Sequence, residues 1–582
     1  MSDGRARYLK YFVVLIPTAI VLIGGWQFRW VAEDAYIDFR VVHNILSGYG
    51  PVFNHGERVE VYTDPLWVFI LAVSSGLFRF VSVEWCSVLF GLFFTGIGFW
   101  FAGLGTYNFA ARRTSKRVYP VGLLCASCVA GVWMFATSGL ETGLIFGWIG
   151  VSWWLLVRTF LKAQRGLIMS AIVISLGFTI RPDMALLTIC FGFVLFVIET
   201  RGTRAEGAHL RRWQLLLALT GIPIVSELFR IAYFGMFVSN TALAKSASRI
   251  WLHQGLEYFT NFAGTYWLWI PFAVFVGVTL HRSRVWWRLD YHLDVLVLLA
   301  PVVGGLLDVI YVTAIGGDFM HARMLLPGFF SVFMIFWFEG SPSMRNAPLV
   351  AAVSVWAVLS VLLFRFSPVG NLSSNGIANE RAVFVGGSEV AHPITPRDFA
   401  KDGWEIAGVA VRRVAPSLSS RIKLINWTRS ATYSLVAQEP RSYRITTSLP
   451  ETYYVGFPNI GLFGLAAGDN TYVFDELSLA NPIGSHFAVY VRSRPGHEKI
   501  VAPVWLDARF GSVATPRPVG VSELAFEEAQ RALSCQPLAG YLKSITAPLT
   551  FSQVFSNFVH AFTWTTMSYS SSPYLAEQEL CR

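Results

Sequence analysis

The sequence predicts a polytopic α-helical membrane protein with a C-terminal domain outside the bilayer. Hydrophobic residues make up 54% of the 582 residues, charged residues only 14%, and the mean hydropathy is +0.50. These values exceed those of soluble domains. Apolar runs recur up to residue 366, whereas Pro, Ser, Asn and Asp become frequent after residue 367. Despite the net charge of +10, the basic residues fall in short clusters between apolar runs, which is typical of cytoplasmic loops and argues against nucleic-acid binding.

Eleven segments are predicted to cross the membrane, because one helical crossing needs about 20 apolar residues. They are residues 11–29, 86–108, 119–136, 144–161, 167–181, 184–199, 213–232, 264–280, 292–313, 324–338 and 348–366. Residues 65–80 are predicted to form an interfacial helix instead, since this assignment leaves every basic cluster on the cytoplasmic side. The N-terminus is then cytoplasmic, and the C-terminus lies on the extracytoplasmic side of the plasma (inner) membrane.

Two domains follow from this pattern. Residues 1–366 form the predicted transmembrane domain, in which residues 31–85 are the first outer loop, and residues 367–582 form an exported soluble domain. The exported domain is predicted to be mixed α/β and strand-rich, with strands at 431–437, 441–447, 452–456 and 487–493 and a helix at 521–534. Cys535 and Cys581 lie in this domain, where an oxidising compartment permits a disulfide.

The first outer loop carries the strongest catalytic candidates, Glu33, Asp34 and Asp38. In a helix, Asp34 and Asp38 share one face because they are four residues apart. A carboxylate at the membrane surface can accept the proton of a sugar hydroxyl as that hydroxyl attacks. The structural alternative is that Asp34 caps the helix.

Four further loops with polar and charged residues fall on the same predicted outer face. Three cations there are candidate phosphate ligands: Arg181, Lys245 and Arg323. Five residues are candidate substrate ligands: Glu141, Asp183, Asn240, Asp318 and His321. The alternatives are structural: a snorkelling Arg181 at the end of a span, an ion pair between Arg323 and Asp318, and Glu141 as the negative charge at a helix N-terminus. Gly316 and Gly317 would allow a close backbone approach.

No cofactor is firmly predicted. The chain has no Walker motif, dinucleotide fingerprint or HExxH sequence. The acidic residues of the first loop could hold a divalent cation, but a monophosphate donor does not require one, so no metal ligand is assigned.

Six motifs together resemble the bacterial polyprenyl-phosphate-dependent glycosyltransferases of the GT-C fold, and they occur in the family's order. They are AEDAYIDFR, GPVFNHGERVEVYTDPLW, TSGLET, RPD, NTALAKS and GGDFMHAR. The segment DELSLANPIGSHFAVYVRSRPGHEK also resembles the family's C-terminal domain. Within the family, the similarity is to the arabinofuranosyltransferases of the mycobacterial and corynebacterial envelope.

The resemblance implies a GT-C transmembrane catalytic domain and a carbohydrate-binding C-terminal domain. It also implies a decaprenyl-phospho-arabinofuranose donor, arabinan termini of arabinogalactan and lipoarabinomannan as acceptors, and a β(1→2) linkage. The family's acidic pair corresponds to Glu33 and Asp34, and Glu33 stands where the family usually has Asp, so Asp34 carries more weight.

Three other functions remain open at this stage. A related transferase would move mannose or another sugar from a polyprenyl phosphate. A flippase or transporter would place ionisable groups in mid-membrane, where Glu227 and Asp308 are the main candidates. A non-catalytic regulator, suggested by relatives labelled flagellar motor control proteins, would not need the outer carboxylates.

Overall fold

The structure, a computed structural model, describes residues 2–114, 116–162, 164–202, 208–340, 347–366, 376–414, 423–426, 442–513, 515, 517–518 and 520–582. The first helices are α1 Ser2–Gln27, α2 Glu33–Leu46, α3 Pro65–Leu77, α4 Val83–Ala111, α5 Val121–Ser127, α6 Ala130–Phe135, α7 Thr142–Leu161, α8 Leu167–Ser175, α9 Gly177–Ile180, α10 Ala185–Gly202, α11 Ala208–Phe234, α12 Asn240–Ala244, α13 Leu252–Thr265 and α14 Trp269–Arg288. The others are α15 His292–Ala314, α16 Leu326–Phe333, α17 Ala347–Leu362, α18 Glu380–Ser388, α19 Gly403–Val414, α20 Ile460–Ala467, α21 Pro503–Phe510, α22 Glu523–Ser534, α23 Leu538–Thr546, α24 Phe551–Thr566 and α25 Pro573–Leu580. The strands are β1 Val118–Tyr119, β2 Phe338–Glu339, β3 Lys423–Asn426, β4 Ser442–Ile445, β5 Tyr453–Phe457 and β6 Thr471–Asp475.

The prediction of a multi-pass helical membrane protein is confirmed. In the described part of the chain, six helices are long and apolar enough to cross a membrane, or seven if α13 and α14, bent by 95°, count as one span. The predicted count of eleven is not confirmed. Four of the predicted segments, 119–136, 167–181, 324–338 and 348–366, contain only shorter helices, because apolar composition does not show where a helix breaks.

Helix α3 corresponds to the predicted interfacial segment. Pro65 occupies its first turn after Asp64, a position where the missing proline N–H costs no helical hydrogen bond. The helix has 13 residues, fewer than a crossing requires, and exposes Phe69 and Leu77. Its length agrees with the interpretation that residues 65–80 do not cross, and its place at the interface stays a prediction.

The chain packs as two compact units, each made of three segments. The first unit contains Met1–Val31, Trp85–Val225 and Ile250–Val383, and the second contains Ala32–Glu84, Ser226–Arg249 and Phe384–Arg582. The predicted boundary at residues 366 and 367 therefore divides the chain by sequence position. The second unit, in contrast, also includes two segments that precede this boundary.

The second unit contains a four-stranded sheet with the order β4-β3-β5-β6. Strands β3 and β4 are antiparallel, and the other two pairs are parallel. Helix α20 is the crossover between the parallel strands β5 and β6, whose residues are all buried. The mixed α/β character of the C-terminal part is thus confirmed, although helices outnumber strands among its described residues.

The four predicted strands agree with the structure to different extents. Segments 441–447 and 452–456 overlap β4 and β5, and the predicted helix 521–534 corresponds to α22. Segment 431–437 lies outside the described residues. The prediction of a strand at 487–493 is wrong: only Phe487 forms an isolated bridge, with Tyr569. The Arg249 guanidinium donates to the Val489 carbonyl at 2.6 Å, so a side chain occupies a position that a neighbouring strand would need.

The core of the second unit is aromatic. Tyr454, Tyr472, Trp505 and Phe526 are buried in one cluster that joins the sheet to helices α21 and α22. Cys535, directly after α22, is disulfide-bonded to Cys581, directly after α25. These are the two cysteines for which the sequence predicts a possible disulfide.

Candidate functional site

Helix α2 presents the acidic residues of the first outer loop. Ala32 is its N-cap residue, Asp34 lies in its first turn, and Asp38 follows one turn later, as the spacing predicts. Asp34 is partly exposed, and Asp38 is buried. Because Ala32 occupies the N-cap, the alternative role of Asp34 as the cap of this helix is not what the structure shows.

Glu33 has a structural role that the sequence does not reveal. Its Oε1 accepts hydrogen bonds from the backbone N–H groups of Gly461 and Leu462, at 2.5 and 3.2 Å, in the first turn of α20. A carboxylate at this position satisfies free amides and interacts favourably with the helix dipole. A Cβ at Gly461 would lie 2.1 Å from the Glu33 carbonyl oxygen, so glycine permits the close approach of α2 to α20.

Other polar residues of the first outer loop complete the sheet of the second unit. Arg40 donates to the carbonyls of Phe53 at 2.9 Å and Thr471 at 2.8 Å, and also to that of Gly464. Asn54 exchanges two hydrogen bonds with the backbone of Val473 in β6. The dense polarity of this loop therefore partly serves folding.

A cavity of about 470 Å³ lies in the second unit beside α2, α19 and the loop after α20. His43 and Asp469 pair on one side, with Nε2 and Oδ1 3.0 Å apart, and Glu405 and Arg412 of α19 line the cavity too. Burial raises the pKa of Glu405 to about 7, and its Oε2 has no hydrogen-bond partner among the described residues. The cavity thus offers carboxylates and cations to a polar ligand.

In the first unit, five predicted site residues form what we call the acidic cluster: Glu141, Arg181, Asp183, Asp318 and Arg323. Arg181 binds both oxygens of Asp183 at 2.7 Å and Glu141 Oε1 at 3.0 Å. Arg323 Nη2 binds Glu141 Oε2 at 3.1 Å, and its Nη1 lies 3.8 Å from Asp318 Oδ2. All five side chains are buried, and three carboxylates face two guanidinium groups.

Glu141 is the centre of this cluster. It is the N-cap residue of α7, but its carboxylate binds the two arginines and makes no capping hydrogen bond. Burial acts to raise its pKa, but Arg323 and Arg181 outweigh burial and hold the pKa below its usual value. Since both arginines are bound to carboxylates, a phosphate would have to compete with Glu141 and Asp183 for them.

In the GGDFMHAR segment, glycine permits a close approach of the backbone to another residue, as predicted. Gly317 has a φ of +72°, and a Cβ there would lie 2.4 Å from the Tyr258 ring. His321 Nδ1 donates to Asn261 Oδ1 at 2.6 Å, and its ring stacks on Phe366. Burial lowers the pKa of His321 to about 3, so the imidazole is neutral near pH 7 and is not suited to acid–base work.

Asp308 belongs near the acidic cluster, although the sequence analysis considered it only as a mid-membrane group. It is fully buried in α15 and interacts electrostatically with Asp183 and Arg181. In the sequence, the signal for a functional role of Asp308 is its position inside an apolar span, where ionisable residues are rare.

In the second unit, Lys245 lies in what we call the basic cluster: Lys245, Arg249, Arg492, Glu498 and Lys499. Arg492 Nη1 donates to the Lys245 carbonyl at 3.3 Å and forms an ion pair with Glu498 at 3.0 Å. Lys499 Nζ donates to the carbonyls of Leu243 at 2.8 Å and Ser485 at 2.5 Å. Burial, followed by the Arg249 and Arg492 charges, lowers the pKa of Lys499 to about 8. Lys499 therefore lies near two arginine charges and one carboxylate.

Asn240 supports this cluster. Its Nδ2 donates to the carbonyls of Ser478 at 3.0 Å and Leu479 at 2.8 Å, and its backbone N–H binds the Glu60 carbonyl. The amide side chain is engaged in holding the loop that precedes Lys245. Among the described residues, no three His, Cys, Asp or Glu side chains are grouped so as to hold a metal ion.

Comparison with known proteins agrees with the motif resemblance. A family model described as the AftB family C-terminal domain matches residues 416–577. The terminal β-(1→2)-arabinofuranosyltransferase of Mycobacterium tuberculosis (strain ATCC 25618 / H37Rv) is 28% identical, over 95% of this chain and 94% of the relative. The protein of the same name from Corynebacterium glutamicum is 27% identical, over 93% of this chain and 83% of the relative.

A similar solved structure is that of ArnT from Cupriavidus metallidurans bound to undecaprenyl phosphate. It has a TM-score of 0.44 and 12% sequence identity, and the match covers 80% of this chain and 89% of that chain. From the sequence comparisons, the chain is similar to two terminal β-(1→2)-arabinofuranosyltransferases along more than nine-tenths of its length, and its residues 416–577 match the model of the AftB family C-terminal domain.

Proposed function

We propose that this protein is a membrane glycosyltransferase that moves arabinofuranose from decaprenyl-phospho-arabinose to arabinan termini of arabinogalactan and lipoarabinomannan. The new linkage is β(1→2), and the reaction takes place on the outer face of the plasma membrane. The observation that carries the proposal is the similarity to two arabinofuranosyltransferases over more than nine-tenths of the chain. The C-terminal domain is included in that similarity.

The chemistry is assigned to the carboxylates of α2. The acceptor hydroxyl oxygen attacks C1 of the donor sugar, the bond from C1 to the phosphate oxygen breaks, and its electron pair leaves with the lipid phosphate. Asp34 accepts the hydroxyl proton. Glu33 acts indirectly, since its carboxylate is bound to the α20 amides and fixes α2.

The stereochemistry adds a role for Asp38. If donor and product are both β, the reaction retains configuration, which requires two successive displacements. In that case Asp38, one helical turn from Asp34, would attack C1 first, and the bond from C1 to the phosphate oxygen would break in this step. The acceptor hydroxyl would then attack C1 of the glycosyl ester, the bond from C1 to the Asp38 oxygen would break, and Asp34 would accept the hydroxyl proton.

The leaving phosphate is assigned first to Lys245. Positive charge predominates in the basic cluster, and electrostatic stabilisation of a leaving phosphate needs such a surplus. The sequence predicts the same role for Arg181 and Arg323, and both remain proposed phosphate ligands. Each arginine would have to release a carboxylate before it could bind the phosphate. Glu141, Asp183 and Asp318 would then bind sugar hydroxyls.

The proposal assigns different roles to the two predicted domains. Residues 1–366 form the catalytic transmembrane domain, and residues 367–582 form an exported domain that binds the arabinan acceptor. The cavity lined by His43, Glu405, Arg412 and Asp469 supports the second assignment, because alternating carboxylates and cations match the hydroxyl groups of a sugar. Its volume of about 470 Å³ falls within the usual range of ligand pockets.

The test is an assay of the purified protein with synthetic decaprenyl-phospho-arabinose and a short arabinan acceptor, with the product linkage determined by NMR. The expected product carries a new terminal β(1→2)-arabinofuranose. Transfer only from a mannosyl donor would replace the sugar and keep the reaction class. Absence of transfer from every polyprenyl-phosphate sugar would overturn the assignment as an enzyme. A parallel reaction with a chelator examines metal dependence.

A further inference from the structure

Helix α24 turns an apolar face away from the second unit. Its exposed apolar side chains recur at helical spacing on one face: Phe551 (89% exposed), Phe555 (66%), Phe558 (42%), Val559 (57%) and Phe562 (69%). None of the 16 residues of this helix is charged. We call these five side chains the phenylalanine face. An apolar surface of this extent marks an interaction site.

Two polar side chains of α24, Asn557 and Gln553, point the opposite way, into the protein. Asn557 is fully buried, and its Nδ2 donates to the Ala232 carbonyl at 2.8 Å. Gln553 Nε2 donates to Ser544 Oγ at 2.9 Å. A surface helix in water solvates its polar side and buries its apolar side, whereas α24 exposes the phenylalanine face and buries Asn557 beside Ala561 and Trp564. Such an arrangement is favourable where the surrounding solvent is apolar.

The position of α24 is fixed to the end of a membrane-spanning helix. Asn557 binds the last turn of α11 at Ala232, and the Phe237 N–H donates to Thr565 Oγ1 at 2.9 Å. Gly235 ends α11 against Trp564, whose ring would lie 2.9 Å from a Cβ there. Helix α11 is long and apolar enough to cross a membrane, and within the second unit its last turns expose Leu228 and Phe229.

We propose that α24 lies in the lipid interface of the bilayer leaflet in which α11 ends, with the phenylalanine face among the lipids. The span to which α24 is bound also exposes apolar side chains, Leu228 and Phe229, one turn before Ala232. Its phenylalanine side chains gain the free energy of leaving water, and the absence of charge removes the cost of placing the helix at the boundary of the acyl chains. The C-terminal region is therefore membrane-associated rather than fully soluble, whatever reaction the protein catalyses.

The proposal is tested by photocrosslinking the full-length protein in its native membrane. The photoreactive analogue p-benzoylphenylalanine replaces Phe555 or Phe562 in separate variants. A third variant carries it at His560, which is also exposed on α24 but lies outside the phenylalanine face. Crosslinked products are separated and identified by mass spectrometry as lipid adducts or peptide adducts.

The expected result is lipid adducts from positions 555 and 562, at a yield several-fold above that from position 560. Crosslinks from 555 and 562 to another polypeptide, or to a second copy of this chain, would overturn the proposal in favour of a protein interface. Equal lipid yields at all three positions, or adducts at none, would also overturn it. A repeat in nanodiscs that hold one copy of the protein excludes crosslinks between neighbours.

Discussion

The acidic cluster of the first unit and the basic cluster of the second unit are charged groups of opposite sign. In the acidic cluster, three carboxylates face two guanidinium groups, and each arginine binds a carboxylate side chain. In the basic cluster, Arg492 pairs with Glu498, whereas Arg249 and Lys499 donate to backbone carbonyls. A backbone carbonyl satisfies a donor without cancelling its charge, whereas a carboxylate does both.

This difference changes the assignment of the phosphate ligands. Residue type alone makes Arg181, Lys245 and Arg323 equivalent candidates for an anion. In the structure, Arg181 and Arg323 bind carboxylates, whereas Lys499 lies near the charges of Arg249, Arg492 and Glu498. We therefore expect an anionic ligand to be better stabilised at the basic cluster, to which Lys245 belongs through its carbonyl.

The largest effect is expected for Asp34→Asn, which tests whether the chemistry belongs to the second unit. Loss of the general base is expected to reduce transfer by about 10²- to 10⁴-fold, measured with the synthetic donor and acceptor. The apparent Tm should be unchanged, because Asp34 is partly exposed. Asp290→Asn, at a side chain that is 93% exposed, is the control and should retain full activity. Normal activity in Asp34→Asn would remove this residue from the mechanism.

Glu141→Gln tests whether the acidic cluster is balanced by its carboxylate. The change leaves two buried guanidinium groups short of a negative charge, which is expected to destabilise the fold by roughly 3–5 kcal/mol. The measurement is thermal unfolding of the detergent-purified protein. The control is Glu389→Gln, since Glu389 and its partner Lys401 are 67% and 68% exposed and water can solvate the charge that remains. Equal losses in the two variants would show that burial of the pair is not the cause.

Lys245→Gln tests the phosphate role of the basic cluster. One charge-assisted hydrogen bond contributes about 1.5–3 kcal/mol, so kcat/KM for the donor is expected to fall roughly 10- to 100-fold. Lys245→Arg should retain most activity because it keeps the charge. Lys401→Gln is the control, because Lys401 and Glu389 form an exposed ion pair elsewhere in the second unit. A loss in Lys245→Arg as large as in Lys245→Gln would show that charge is not what matters here.

The smallest effect concerns the His43–Asp469 pair of the cavity. The hydrogen bond to Asp469 raises the pKa of His43, and the same bond lowers the pKa of Asp469. A raised histidine pKa stabilises below its unfolded value of about 6.5, and a lowered aspartate pKa stabilises above about 3.9. The pair therefore stabilises the fold most between those two pH values, and less as His43 loses its proton above or Asp469 gains one below.

A double-mutant cycle of His43→Gln and Asp469→Asn measures this coupling. At about pH 5.5 it should be below roughly 1 kcal/mol, because the two side chains are 48% and 49% exposed, and at about pH 9 it should vanish. A coupling of the same size at both pH values would contradict the ionic origin.

The sequence predicts local features of the site well. The spacing of Asp34 and Asp38 places both on α2, and the paired glycines before Asp318 do permit a close approach to Tyr258. These features depend on residues near one another in the chain, for which helical periodicity and backbone conformation are sufficient.

Partners distant in the chain could not be predicted. Glu33 binds the first turn of α20 across 428 residues, and nothing in AEDAYIDFR shows that one of its carboxylates is a helix cap. The segment 487–493 has the composition of a strand, but Arg249 binds its backbone. Arg181 follows a span as expected, yet its binding of Asp183 and Glu141 depends on tertiary packing.

The discontinuous second unit has a consequence for biosynthesis. Residues 32–84 emerge early, but the groups that satisfy Glu33 and Arg40 lie 428 and 431 residues later. At about 5–20 residues per second, the ribosome needs roughly 20–90 s to make the intervening chain. During that interval the first outer segment exists without α20 and β6. Chain termination before residue 460 would therefore leave Glu33 and Arg40 without the partners that α20 and β6 supply.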